Sequence, residues 1–198
     1  MPPQGQDDGY DIVARKGLHF LSFLIPVFIY LTPPAVYQPV TLLLFLIAVG
    51  VETLRNTTDW GHALFQRLFG SMLKGAERQR RRITGATYLL FSTFLLAHLF
   101  IKPIVVVSLL FLSVGDAVAG VVGRRWGRHK LIGNKTLEGS LAMLLSCWLI
   151  VWFVKEIPIA VKIIAGLGAT VLEALEIPVD DNLLIPLGTG LFLWIWMH

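Results

Sequence analysis

Between Leu112 and Ala142 the sequence reads LSVGDAVAGVVGRRWGRHKLIGNKTLEGSLA, and residues able to do chemistry crowd together there between two long apolar runs. Asp116, Gly120, Gly123 and Gly127 recur at helical intervals, so a helix through them carries one acid and then a track without side chains. Arg124, Arg125, Arg128 and Lys130 follow, and then Asn134, Lys135 and Thr136 lead to Glu138. A second polar group lies far downstream: Glu173, then Asp180, Asp181 and Asn182. Glycine backbone and cationic side chains can receive phosphate, as can the free N–H groups of a helix starting near Thr136. Asp116, Glu138, Glu173, Asp180 and Asp181 are candidates to hold a divalent cation through oxygen or to act as a general base. The glycine track has a competing reading as a surface for close helix packing.

Other chemistries lack their residues. Neither GxxxxGK[ST] nor a GxGxxG between strand and helix is present, and there is no GxSxG. The five histidines show no close ligand spacing, and Cys147 is the single cysteine, inside an apolar run. Phosphoryl or nucleotidyl transfer suits the remaining set best.

The elements that must position these groups are apolar. Of 198 residues, 55% are hydrophobic and only 15% charged, against roughly 25% in an ordinary soluble domain. Mean hydropathy is +0.69, which implies an all-α, polytopic integral membrane protein. About seven transmembrane helices are expected, near residues 18–31, 40–54, 83–101, 104–122, 137–154, 159–175 and 183–197, with six or a re-entrant segment as alternatives. Residues 1–14 read as a flexible tail and 15–198 as one transmembrane catalytic domain. The first span shows no convincing cleavage site and is expected to be retained. Thr32 to Pro39, with three prolines, reads as a turn. Trp60, Leu64, Leu68, Met72 and Leu73 recur at helical spacing in the longest loop, as in an interfacial amphipathic helix. Lys162, in the sixth span, is expected to snorkel to the nearer interface.

Charge orients the chain. With a cytoplasmic N-terminus and an outside C-terminus, the inner segments hold fourteen of the seventeen Lys and Arg residues. The net charge of +4 lies in short patches between spans, which argues against nucleic acid as a partner. This topology brings Arg15 and His19, Glu52 and Arg55, Asp116, Asn134 to Glu138, and Glu173 to Asn182 to the cytoplasmic face. A carboxylate within a span, as at Asp116, is costly and marks a polar interior or a site.

The chain resembles the CTP-dependent polyprenol and lipid kinases, a family with dolichol kinase, phytol and farnesol kinases and a diacylglycerol kinase, within the wider integral-membrane cytidylyltransferases. Asp116, Gly123, Arg125 and Gly127 carry the match, with KTLEGSLA from Lys135 to Ala142, Glu173, and PVDDNL from Pro178 to Leu183 with Pro186. Arg15, Lys16 and His19 look like a further family feature, as do Glu52 and Arg55. The resemblance implies transfer of the CTP γ-phosphoryl group to a membrane lipid alcohol of the polyprenol, phytol, farnesol or geranylgeraniol type. It implies Mg²⁺ held by Asp116 with Asp180 or Asp181, a phosphate contact from Lys135, and ligands fixed by Asn134 and Asn182. Glu138 or Glu173 would orient the ion or take the alcohol proton. The cytidylyltransferase branch, which makes a CDP-lipid from a lipid phosphate, is the alternative; the Asp180-Asp181-Asn182 segment looks more like the kinase branch. A small transporter is a third reading, against which stand the absence of a repeated half and the gathering of polar groups at one face.

Overall fold

The computed structural model describes residues 21–70, 82–133, 135–175 and 177–197. Among these residues the secondary structure is helical, with one isolated β-bridge between Lys130 and Thr136. We label the helices α1 (Leu24–Leu31), α2 (Pro34–Thr57), α3 (Asp59–Phe69), α4 (Gly85–Leu99), α5 (Lys102–Trp126), α6 (Leu137–Trp152), α7 (Ile159–Ala174) and α8 (Asp181–Met197). The expected all-α class holds. Arg15, Lys16, His19, Met72, Leu73 and Asn134 lie outside the described residues.

The helix starts follow from local chemistry. Thr58, Thr84 and Thr136 cap α3, α4 and α6 by accepting the N–H groups of Gly61, Thr87 and Gly139. Proline occupies the first positions of α2 and α5, where the missing N–H costs nothing. This corrects the expected turn over Thr32 to Pro39. The chain reverses at Thr32 and Pro33 alone, and Pro39 lies inside α2. The amphipathic stretch is helical over Asp59–Phe69, and its exposed face carries Trp60, Leu64 and Leu68.

α5 is the central element. Ile104, Val105, Val107, Phe111 and Leu112 are completely buried, and the helix packs against α1, α6 and α8. Its segment Phe111–Asp116 is π-helical, and the register expected from Asp116 through Gly120 and Gly123 follows in the α-helical turns Ala117–Trp126, with Gly127 just past their end. α2, by contrast, turns Leu43, Leu46 and Ile47 outward, each more than half exposed. By length and composition α2 and α5 are able to cross a membrane, and α4, α6 and α8 are apolar but shorter.

The polar ends of several helices meet. The C-terminal turns of α2 and α7 and the N-terminal turns of α4, α6 and α8 are tied together by side-chain hydrogen bonds.

Candidate active site

The loop between α5 and α6 is a small hairpin. The Leu131 N–H donates to the Lys135 carbonyl at 3.0 Å, and the Leu137 N–H donates to the His129 carbonyl at 2.9 Å. The Lys135 N–H closes a tight turn on the Ile132 carbonyl at 3.0 Å. Gly133 takes the positive φ of 54° that this turn needs, a conformation that a residue with Cβ adopts only at a cost. The hairpin sets Lys135 on the arm leaving the turn.

From there the Lys135 ammonium reaches two other helices. Its Nζ donates to Glu173 Oε1, in the last turn of α7, at 2.7 Å and to Asp181 Oδ2, in the first turn of α8, at 3.5 Å. Ser140 of α6 donates to the other Glu173 oxygen at 3.3 Å. Glu173 is 4% exposed, whereas the side chains of Lys135 and Asp181 are 23% and 35% exposed. The carboxylate is thus the buried anchor, and the ammonium faces the rim. Burial works against the charge of Lys135. The Glu173 hydrogen bond and the charges of Asp181, Glu173 and Asp116 outweigh it and hold the lysine above its ordinary range.

The remaining candidates occupy distinct places. Asp180 begins α8: its carboxylate Oδ1 accepts the Asn182 N–H at 3.0 Å and Asn182 Nδ2 at 2.7 Å. The Asn182 carbonyl receives the Ser92 hydroxyl of α4 at 2.8 Å, which fixes the entry of α8. Glu138 accepts from the His129 backbone at 3.3 Å and lies 2.8 Å from its Nδ1, closing the base of the hairpin. Arg125 lies over the Trp126 ring on the exposed end of α5, and Gly120 faces Arg124.

Gly123 and Gly127 form a packing seam. A Cβ on Gly123 would come within 2.8 Å of Thr136 Oγ1, and one on Gly139 within 2.9 Å of the Ala119 carbonyl. The helix-packing reading of the track therefore applies to these glycines, whose space is filled by the start of α6. The expectation of free N–H groups at that start is corrected too. Two of those N–H groups, of Leu137 and Gly139, are taken by the His129 carbonyl and Thr136 Oγ1.

Glu52 and Arg55 form a separate, closed network. Arg55 is 1% exposed and places Nη1 2.6 Å from Glu52 Oε1. Its guanidinium also lies 4.9 Å from the Phe65 ring centre of α3. The second Glu52 oxygen accepts from Thr84 and Thr87 hydroxyls at 3.0 Å each. These groups join α2, α3 and the start of α4.

Sequence reasoning missed Ser140, Ser92, Thr84 and Thr87. Ser140 stands within the quoted KTLEGSLA and one turn beyond the Thr136 cap; no comparable signal marks the other three.

Among the described residues no three His, Cys, Asp or Glu side chains converge as a metal-holding group. Asp116, Asp180 and Asp181 do not form such a cluster by themselves. Asp116 and Asp181 do share a neighbour in Lys135. Two carboxylates beside a cation suit Mg²⁺, which takes few protein ligands and completes its shell with water and phosphate oxygens.

The chain matches no family profile, and no solved structure matches it. Among curated proteins it is 26% identical to CTP-dependent diacylglycerol kinase 1 of Schizosaccharomyces pombe, over 93% of each chain. It is 33% identical to phytol kinase of Synechocystis, over 44% of this chain and 42% of that one. A probable chloroplastic phytol kinase of Glycine max is 36% identical over 46% of this chain and 37% of its own length. Over most of its length the chain is thus similar to a protein named as a CTP-dependent lipid kinase, and over nearly half of it to phytol kinases.

Proposed function

We infer that the chain is a CTP-dependent lipid kinase that transfers the γ-phosphoryl group of CTP to the hydroxyl of a membrane lipid alcohol. The observation that carries the reading is the Lys135 centre: a partly buried lysine tethered to buried Glu173, with Asp181 and Asp116 beside it. The names of the relatives support both the nucleotide and the lipid acceptor class. An acceptor of the polyprenol, phytol, farnesol or geranylgeraniol type extends the same reading, and a diglyceride competes with it.

Phosphoryl transfer goes through a loose transition state, so positioning and charge neutralisation carry most of the acceleration. The lipid hydroxyl gives its proton to a carboxylate of the centre as its oxygen bonds to the γ-phosphorus, the bond to the β,γ-bridging oxygen breaks, and CDP departs. Lys135 receives charge on the transferring group, and Glu173, fixed by Ser140, keeps the ammonium aimed. Asp116 and Asp181 would hold Mg²⁺, which supplies charge neutralisation on the phosphates when bound. Asp180 and Asn182 set the start of α8 and with it the position of Asp181. The hairpin's Glu138 and His129 brace keeps Lys135 in register.

The same reading puts the centre at the cytoplasmic face of a single seven-span domain, formed by α1, α2 and α4 to α8. Exposed Leu43, Leu46, Ile47, Leu145 and Leu149 form the kind of outward apolar surface that lipid covers. Purified protein in detergent is to be assayed with Mg²⁺, labelled CTP and a panel of farnesol, geranylgeraniol, phytol, longer polyprenols and diacylglycerol. Lipid monophosphate with CDP is expected. A CDP-lipid with pyrophosphate on addition of a lipid phosphate would reassign the chain to nucleotidyl transfer, and no turnover with any nucleotide would sink the enzymatic reading.

A further inference from the structure

The end of the α6–α7 pair remote from Lys135 holds a second cation in a different setting. A groove of about 260 Å³ runs between the two helices there, lined by Trp148, Val151, Trp152, Ile159, Lys162 and Ile163. Lys162 is its one charged lining residue, half-buried among apolar side chains. The groove is distant from the Lys135 centre. Trp148 stands two helical turns beyond Ser140 and Lys162 three turns before Glu173, roughly 12 and 16 Å along the axes.

Its aromatic wall is held in place. The Trp148 Nε1–H donates to the Ile163 carbonyl at 3.3 Å. The ring also rests on Gly166, where a Cβ would fall 2.7 Å from Trp148 Cδ1. A cation against apolar walls gains when an anion with its own apolar body joins it, because the charge is then paired and the walls are covered. Trp148 and Trp152 present the amphipathic rings that favour the boundary between acyl chain and headgroup.

We propose that this groove binds an anionic phospholipid of the surrounding bilayer, with the acyl chain against Trp148 and Ile163 and the phosphate on Lys162. The site is separate from the reaction centre, and the inference rests on the reading of the chain as bilayer-embedded.

The test uses the full chain in detergent, with phosphatidylglycerol and phosphatidylcholine added in turn and retained lipid read by native mass spectrometry. Wild type should retain phosphatidylglycerol about tenfold more strongly, a preference that one paired charge can supply. Lys162→Gln should abolish the preference and Lys155→Gln, in the adjoining turn, should keep it. Ile163→Trp, which fills the groove and leaves Lys162 in place, should abolish retention and decides the matter if Lys162→Gln does not fold. Equal retention of the two lipids by wild type, or a preference that survives either groove variant, overturns the site. A chain that stays monodisperse without detergent overturns the bilayer reading itself, which separates the two failures.

Discussion

Two lysine- or arginine-to-glutamate pairs lie at the polar end of the bundle, and they differ in what is left open. Arg55 and Glu52 are enclosed: the carboxylate accepts from Arg55, Asn56, Thr84 and Thr87, and the guanidinium is covered by Phe65. Lys135 and Glu173 are closed on one side only. Glu173 is buried and braced by Ser140, but about a quarter of the Lys135 side chain stays in solvent, beside an Asp181 about one-third exposed. An enclosed, buried pair fixes helices against one another, because removing one partner strands the other charge. A pair whose lysine is partly open to solvent can take a further anion. The first arrangement is expected to govern stability, the second turnover.

The largest expected effect is on the open pair. Lys135→Met should lower kcat of the folded protein about 10³-fold, as loss of a donor to developing charge does, with a smaller loss of stability than Arg55→Met causes, since Ser140 still donates to the stranded Glu173. A variant within tenfold of wild-type turnover would break the comparison on that side. Arg55→Met should act the other way. It strands Glu52 and should destabilise the fold by about 3 kcal/mol, read by thermal unfolding in detergent, with KM unchanged in the folded fraction. A loss of kcat without a loss of stability would place Arg55 with the reacting groups.

A smaller effect tests the seam between α5 and α6. Gly139→Ala drives a Cβ against the Ala119 carbonyl and Thr136, neither of which can yield cheaply, and should cost about 2 kcal/mol. The smallest is a pH effect. The folded-state pKa of Lys135 is raised, so its pairing contributes fully below the ordinary lysine value and is lost only as pH rises through the higher, folded value. The stability difference between wild type and Lys135→Met, with no divalent cation added, should therefore stay constant from about pH 7 to 9. A fall within that window would show that the lysine is not held as described.

The legible part of this site was its inventory. Lys135, Glu173 and Asp181 are marked by charge next to apolar runs, and Asp116 by its place within one. Their pairing was not legible, since Lys135 might equally have met Glu138, three residues away. Backbone geometry decided otherwise: the turn at Gly133 swings Lys135 toward α7, while His129 occupies Glu138. The glycine track was ambiguous for a similar reason. Spacing marks a bare helix face, but only the position of Thr136 and Gly139 shows that α6 covers it.

At the level of the fold, helical class, the approximate limits of most helices and the gathering of polar ends follow from composition and apolar periodicity, because burying backbone in apolar surroundings demands internal hydrogen bonding. The start of α2 did not, since proline signals a turn and a first helical turn alike. Nor did the π-helical widening before Asp116, which lies where α5 packs against α6. The sequence by itself determined which residues have charge to offer and where helices can begin. Tertiary structure alone decided which charges meet and which stay open, because side chains far apart in the chain are brought within hydrogen-bonding distance only by the packing of whole helices.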